Sequence, residues 1–194
     1  MNLGVLNETV ILVDTDFLNE RISDNLTIYK ELYPNKNFAE INLADLLYKF
    51  AINARVKESG NNVDILFAYT LSNSTLVNCD PSNIFGFIDI NNVQMITDIG
   101  TFIIRSFYSD ETESCTDHFL NMLKIIYNKQ NVSRIIMIAD NPEINDYLEY
   151  INSQNLKSLL MLKKGSDSDI EVDIKYVNID YPIAFALGLN DNEI

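Results

Sequence analysis

Apolar positions along the chain follow two rhythms. In the first they run unbroken, as in Val10-Ile11-Leu12-Val13 and Ile135-Ile136-Met137-Ile138-Ala139. Short β-branched runs of this kind mark strands buried on both faces of a parallel sheet. In the second rhythm they recur every three or four residues, which is helical spacing. Leu43, Leu46, Leu47, Phe50 and Ala51 share a face within 42–56; Phe119, Leu120, Leu123, Ile126 and Tyr127 share one within 116–128. Ile144, Tyr147, Leu148 and Ile151 do the same within 142–151, and a weaker helical pattern covers 25–32. Strands are predicted at 9–14, 63–69, 85–90, 101–107, 134–139, 158–162 and 172–179. The last of these alternates Val172, Ile174 and Tyr176 with Asp173 and Lys175, which suits an edge or an antiparallel addition.

Strands alternating with helices predict one α/β domain over 1–194, a three-layer sandwich around a mostly parallel central sheet. A chain of 194 residues is long enough to bury its own core. Neither an internal repeat nor a low-complexity linker divides it. The apolar stretch YPIAFALGL, 181–189, is expected either to dock on the core or to meet a second copy in a homo-oligomer.

In a parallel sheet, ligands bind beyond the carboxyl ends of the strands, where the strand order reverses. Asp14 and Asp140 each end an unbroken apolar run. Carboxylates gathered in one crevice repel and raise one another's pKa unless a cation sits among them. Oxygen ligands favour a hard divalent cation such as Mg²⁺ or Mn²⁺. An acidic, metal-binding crevice is the expectation.

The order of acids sharpens it. VILVDTDFLN supplies Asp14 at the end of a first strand, with Asn19 shortly after. ESCTDHFLNMLKII supplies Asp117 at a helix start, after the strand TFIIRSFYS. MIADNPEINDYLEYI supplies Asp140 at the end of a third strand, with Glu143 in place of a second acid. Over 9–164 this order resembles the NYN group of PIN-like nucleases. The resemblance implies a PIN-like, Rossmann-like fold and a Mg²⁺- or Mn²⁺-dependent ribonuclease, or a degenerate descendant of one. Asp14, Asp117 and Asp140 would be the catalytic, metal-holding residues, with Asp16 and Glu143 in support. The sequence departs from the family pattern at Ala139, where the family has glycine, and at Asn141-Pro142-Glu143.

A second resemblance rests on Asp14-Thr15-Asp16, which is similar to the first motif of the haloacid dehalogenase phosphohydrolases. In that family the first Asp attacks phosphorus and the second acts as acid and base. Thr70, Lys124 or Lys129, Asp140 and Asp146 would complete the set. A third reading is a non-catalytic protein-interaction domain, favoured by the departures from the nuclease pattern.

Structural roles compete for the same residues. Ser114-Cys115-Thr116-Asp117 fits a capping box. Asn141 reads as an N-cap with Pro142 at the first helical position, and Glu143 as a first-turn acid favoured by the helix dipole. Asp16 fits a turn or a cap. The only histidine, His118, reads as partly exposed structure.

Charge narrows the partners. The chain carries 28 acidic against 14 basic residues, a net −14. A generic phosphate-backbone binder needs a basic face, so RNA would have to be met through a local patch. Screening confines the repulsion to roughly 8–10 Å at physiological salt. The same charge argues against a membrane surface, and no apolar run reaches membrane-spanning length. With no basic segment in MNLGVLNETV, and with Cys79 and Cys115 in neither metal nor redox spacing, a cytoplasmic protein with reduced thiols is expected.

Overall fold

The protein is described by a computed structural model over residues 1–56, 61–83, 93–109, 113–152, 154, 156–165 and 174–194. The elements are β1 (Thr9–Asp14), α1 (Thr15–Leu32), β2 (Ile41–Asn42), α2 (Leu43–Asn53) and β3 (Asn61–Thr70). A 3₁₀ turn (Leu71–Asn73), β4 (Cys79–Asp80), β5 (Gln94–Thr97), β6 (Gly100–Ser109) and α3 (Cys115–Tyr127) follow. The chain continues with β7 (Arg134–Ile138), α4 (Pro142–Asn152), β8 (Ser158–Lys163), β9 (Lys175–Asn178) and α5 (Asp180–Ala186).

Seven strands form one sheet in the order β5-β6-β3-β1-β7-β8-β9, while β2 and β4 pair separately. Every neighbour in the large sheet is parallel except β5, which runs antiparallel to β6. Ile11 of β1 lies between Ile65 of β3 and Ile136 of β7. From β1 the chain winds outward through β3 and β6, then returns to β7 and winds the other way. The strand order therefore reverses between β1 and β7, and the carboxyl ends of such a strand pair are where doubly wound sheets bind their ligands.

Both faces of the sheet are buried, which explains the unbroken runs. Ile11, Val13, Ile136 and Ile138 pack under α1, α2 and α5. Val10, Leu12, Ile135, Met137 and Ala139 pack under α3 and α4. The expected three-layer α/β architecture is thus present.

Two polar clamps brace the layers. Asp64, 1% exposed in β3, pairs with Arg105 of β6 and accepts from the Asn7 backbone N–H at 2.5 Å and from Asn7 Nδ2 at 2.9 Å. Arg105 also donates to the Leu3 carbonyl, which ties the N-terminal segment to the sheet. On the other face, Arg21 and Asn25 of α1 both donate to Asp180 Oδ1 at the start of α5.

The second clamp accounts for the largest difference from the sequence expectation. Helix α1 begins at Thr15 and runs 18 residues, whereas the pattern predicted only 25–32. Its buried face includes Arg21 and Asn25, so the apolar stripe is broken at two positions that Asp180 satisfies. The strand predicted at 172–179 is the edge strand β9, which begins at Lys175 and is parallel to β8. The strand predicted at 85–90 lies outside the described residues. β2, β4 and β5 were not anticipated; each has at most four residues, too few to show a period. Among the described residues, no helix is long and apolar enough to cross a membrane.

Candidate functional site: the crevice at the strand-order switch

Asp14 is the last residue of β1 and the N-cap of α1. Its Oδ1 accepts the backbone N–H of Asp16 at 3.0 Å and of Phe17 at 3.2 Å. Cys115 Sγ, in the first turn of α3, lies 3.3 Å from the same oxygen and 3.3 Å from the Ala68 carbonyl. All three contacts fall on Oδ1. The side chain is buried, and burial lifts its pKa above the ordinary 3.8, with the nearby Asp16 carboxylate adding to the rise. The two amide hydrogen bonds and the thiol offset part of that rise. Among the described residues, no Lys or Arg pairs with it. Next to it, Thr15 is fully buried and its Oγ1 has no partner among the described residues.

Asp16 is half-buried and accepts from Asn73 Nδ2 at 2.9 Å, across from the turn that follows β3. Asn19 donates to the Thr75 carbonyl and accepts from Val77 N–H, both at 2.8 Å. It anchors the segment beside the crevice and makes these contacts with backbone groups.

Asp117 stands in the first turn of α3. The cap residue Ser114 accepts the Asp117 N–H at 3.0 Å and donates to Asp117 Oδ2 at 2.7 Å. Asp140 follows β7 and is exposed. Asn141 caps α4 by accepting the Glu143 N–H at 2.9 Å, and its Nδ2 lies 3.4 Å from Thr116 Oγ1 of α3. Glu143 is an exposed first-turn acid. The capping roles weighed for Ser114, Asp117 and Asn141 are therefore present.

The topology brings Asp14, Asp16, Asp117, Asp140 and Glu143 to one edge of the sheet, around the starts of α1, α3 and α4. Cys115 stitches α3 to Asp14, and Asn141 stitches α4 to α3. Among the described residues, no three His, Cys, Asp or Glu side chains form a ready-made metal cluster. Cys115 escaped the sequence reading because a lone thiol has no spacing signature. Burial and the Asp14 carboxylate push its pKa up, so it is an inert hydrogen-bonding group rather than a nucleophile.

His118 departs from expectation: it is 1% exposed. Its Nε2 faces the Phe107 carbonyl at 3.0 Å and its Nδ1 faces Glu113 at 3.2 Å, beside a hollow of about 630 Å³. The lysines required by the phosphohydrolase resemblance lie elsewhere. Lys124 is in the last turn of α3 and lines the hollow beside His118 with its ammonium over the Tyr147 ring, and Lys129 Nζ donates to the Gly4 carbonyl. Thr70 ends β3, with its hydroxyl 3.0 Å from that of Ser72. The apolar tail docks as α5, burying Pro182, Ile183 and Ala184.

One family profile matches residues 4–194, nearly the whole chain. The chain belongs to DUF6621, a family of unknown function. No curated protein and no solved structure matches it. For this DUF6621 protein, the functional reading rests on the crevice itself.

Proposed function

We propose that the crevice between β1 and β7 binds Mg²⁺ or Mn²⁺ and that the protein acts on RNA phosphodiesters. Asp14 carries the reading. It is a carboxylate buried at the strand-order switch, steadied by two amides and a thiol, without a basic partner among the described residues. A buried carboxylate is costly to ionise, and a cation reverses that cost. The donor chemistry fits a hard ion: Mg²⁺ keeps several waters and is commonly held by one or two carboxylates plus substrate phosphate, so no closed cage is required.

Asp14 would hold the ion, with Asp16 as the second charge nearest to it. Asp140, exposed at the end of the adjacent strand, faces solvent where a substrate arrives. Asp117 and Glu143 stand at the same edge and add negative potential. When bound, the cation supplies an acidified water and offsets charge on the phosphate. A cytoplasmic setting accords with two buried free thiols, Cys79 and Cys115.

One observation favours a second reading, a non-catalytic descendant that serves as an interaction domain. Asp117 is closed onto Ser114, and Asn141-Pro142-Glu143 is built as a helix cap. The deciding experiment incubates single-stranded and structured RNA with Mn²⁺ and either wild type or Asp14→Asn. We expect cleavage by wild type and a loss of roughly 100-fold or more in the variant, the scale of a lost metal ligand. Equal activity in the two proteins rejects the assignment. Mn²⁺-induced stabilisation without cleavage selects the non-catalytic reading.

A further inference from the structure

Lys163 is the last residue of β8 and only 8% exposed. Its ammonium lies 4.4 Å from the centre of the Tyr176 ring on β9. Among the described residues it has no carboxylate partner and no hydrogen-bond acceptor. Lys36 pairs with Glu193, Lys49 with Asp45, and Lys157 donates to two backbone carbonyls; Lys124 also faces a ring, Tyr147 at 5.7 Å, but is exposed to solvent. In a chain with twice as many acids as bases, a nearly buried ammonium resting on a ring alone stands out. Burying an ammonium without an anion costs free energy, although the ring face returns part of it.

Its position gives this a use. Lys163 lies at the carboxyl edge, one strand from β7 and two from β1. It shares a sheet face with Leu159 and Met161, beneath α4. Burial pushes the Tyr176 hydroxyl pKa up, and the fields of Glu149 and Asp140 add to the rise. Among the described residues, the edge thus has carboxylates on the β1–β7 side and, on the β8 side, the unpaired Lys163 followed by the exposed Lys164. A phosphodiester approaching the acids alone would be repelled, whereas a lysine beside them supplies a point charge for one phosphate oxygen.

We propose that Lys163 is a phosphate contact of the crevice, receiving one backbone phosphate of a single-stranded RNA whose neighbouring phosphate lies toward Asp14. This rests on the reading of the crevice given above and identifies the local basic contact that a chain of net charge −14 requires.

The test measures binding of a short fluorescein-labelled single-stranded RNA by anisotropy across a salt series in Mn²⁺, with inorganic phosphate as competitor. Lys163→Met keeps the stem on Tyr176 and removes the charge; Lys163→Arg restores a cation. We expect Lys163→Met to melt at or above the wild-type temperature and to bind Mn²⁺ unchanged. Its RNA affinity should fall about tenfold and its salt slope by about 0.7, the value of one single-strand phosphate contact. Lys163→Arg should recover most of both. Unchanged affinity and slope in Lys163→Met, with Mn²⁺ binding intact, overturn the Lys163 contact while leaving the metal crevice standing. Loss of Mn²⁺ binding in Asp14→Asn, measured alongside, tests the crevice separately. A wild-type protein that binds no RNA overturns the Lys163 contact as well.

Discussion

At the scale of single residues, Asp14 is in tension with stability. Burial holds its pKa above 3.8, so the folded state keeps the proton more tightly than the unfolded chain. Its stabilising contribution is complete below the ordinary value and is lost as pH rises through the folded value. Asp14→Asn keeps an oxygen for the Asp16 and Phe17 amides and removes the charge. Its melting temperature should therefore exceed that of wild type at pH 7–8, with the gap closing toward pH 4. A chain of this size moves about 2–4 °C per kcal/mol. A variant less stable than wild type at neutral pH would contradict this account of Asp14. Asp64, by contrast with Asp14, has a basic partner, and Asp64→Ala leaves Arg105 and Asn7 facing a void. The expected loss is about 3 kcal/mol, at the low end for a broken buried pair because Arg105 is partly exposed, and chemical denaturation measures it. The sequence marked Asp14 because four apolar residues precede it. It did not reveal that Asp14 rather than Asp16 caps α1, since both lie at the right distance from a helix start. The burial of His118 was equally hidden, because the groups that satisfy its ring belong to a distant carbonyl and a loop carboxylate.

Elements were legible where their burial was uniform and obscure where polar residues were buried. β1 matched its predicted bounds, and β3, β6, β7 and β8 lay within about two residues of theirs. The faces of α2, α3 and α4 were read from spacing alone. The first half of α1 was missed because Arg21 and Asn25 interrupt its stripe, and their burial depends on Asp180, more than 150 residues away, together with Asp24 and the Arg21 carbonyl within α1. That clamp predicts a local consequence. Asp180→Ala removes the acceptor of Nε and of one terminal nitrogen of a guanidinium that is 3% exposed, while the Asp24 pair stays, at a cost of about 1–3 kcal/mol. Amide exchange should accelerate first in 180–189 and in the middle of α1, with the β1–β7 pair protected until global unfolding. Uniform acceleration across the sheet would show that the clamp belongs to the global fold rather than to the docking of α5.

For the whole molecule, the order of the strands does what no single residue can. Asp14, Asp117 and Asp140 are far apart in sequence, and the reversal between β1 and β7 brings their elements to one edge. Alternating strands and helices made the sheet's carboxyl edge foreseeable. The capping bond between Ser114 and Asp117 was foreseeable too, whereas the amides and thiol on Asp14 and the Asn73 contact to Asp16 were not, because side-chain direction depends on partners set only in the folded chain. The net charge of −14 gives that edge a strong pull on cations, weakened by salt. The central claim is that Asp14 anchors a divalent cation there, and calorimetric titration of Mn²⁺ into wild type and Asp14→Asn tests it most directly. The account predicts one saturable site in wild type, weakening as pH falls and the proton competes for Asp14, and absent from the variant. Identical isotherms for the two proteins, or no saturable binding to wild type at pH 7.5, would contradict it.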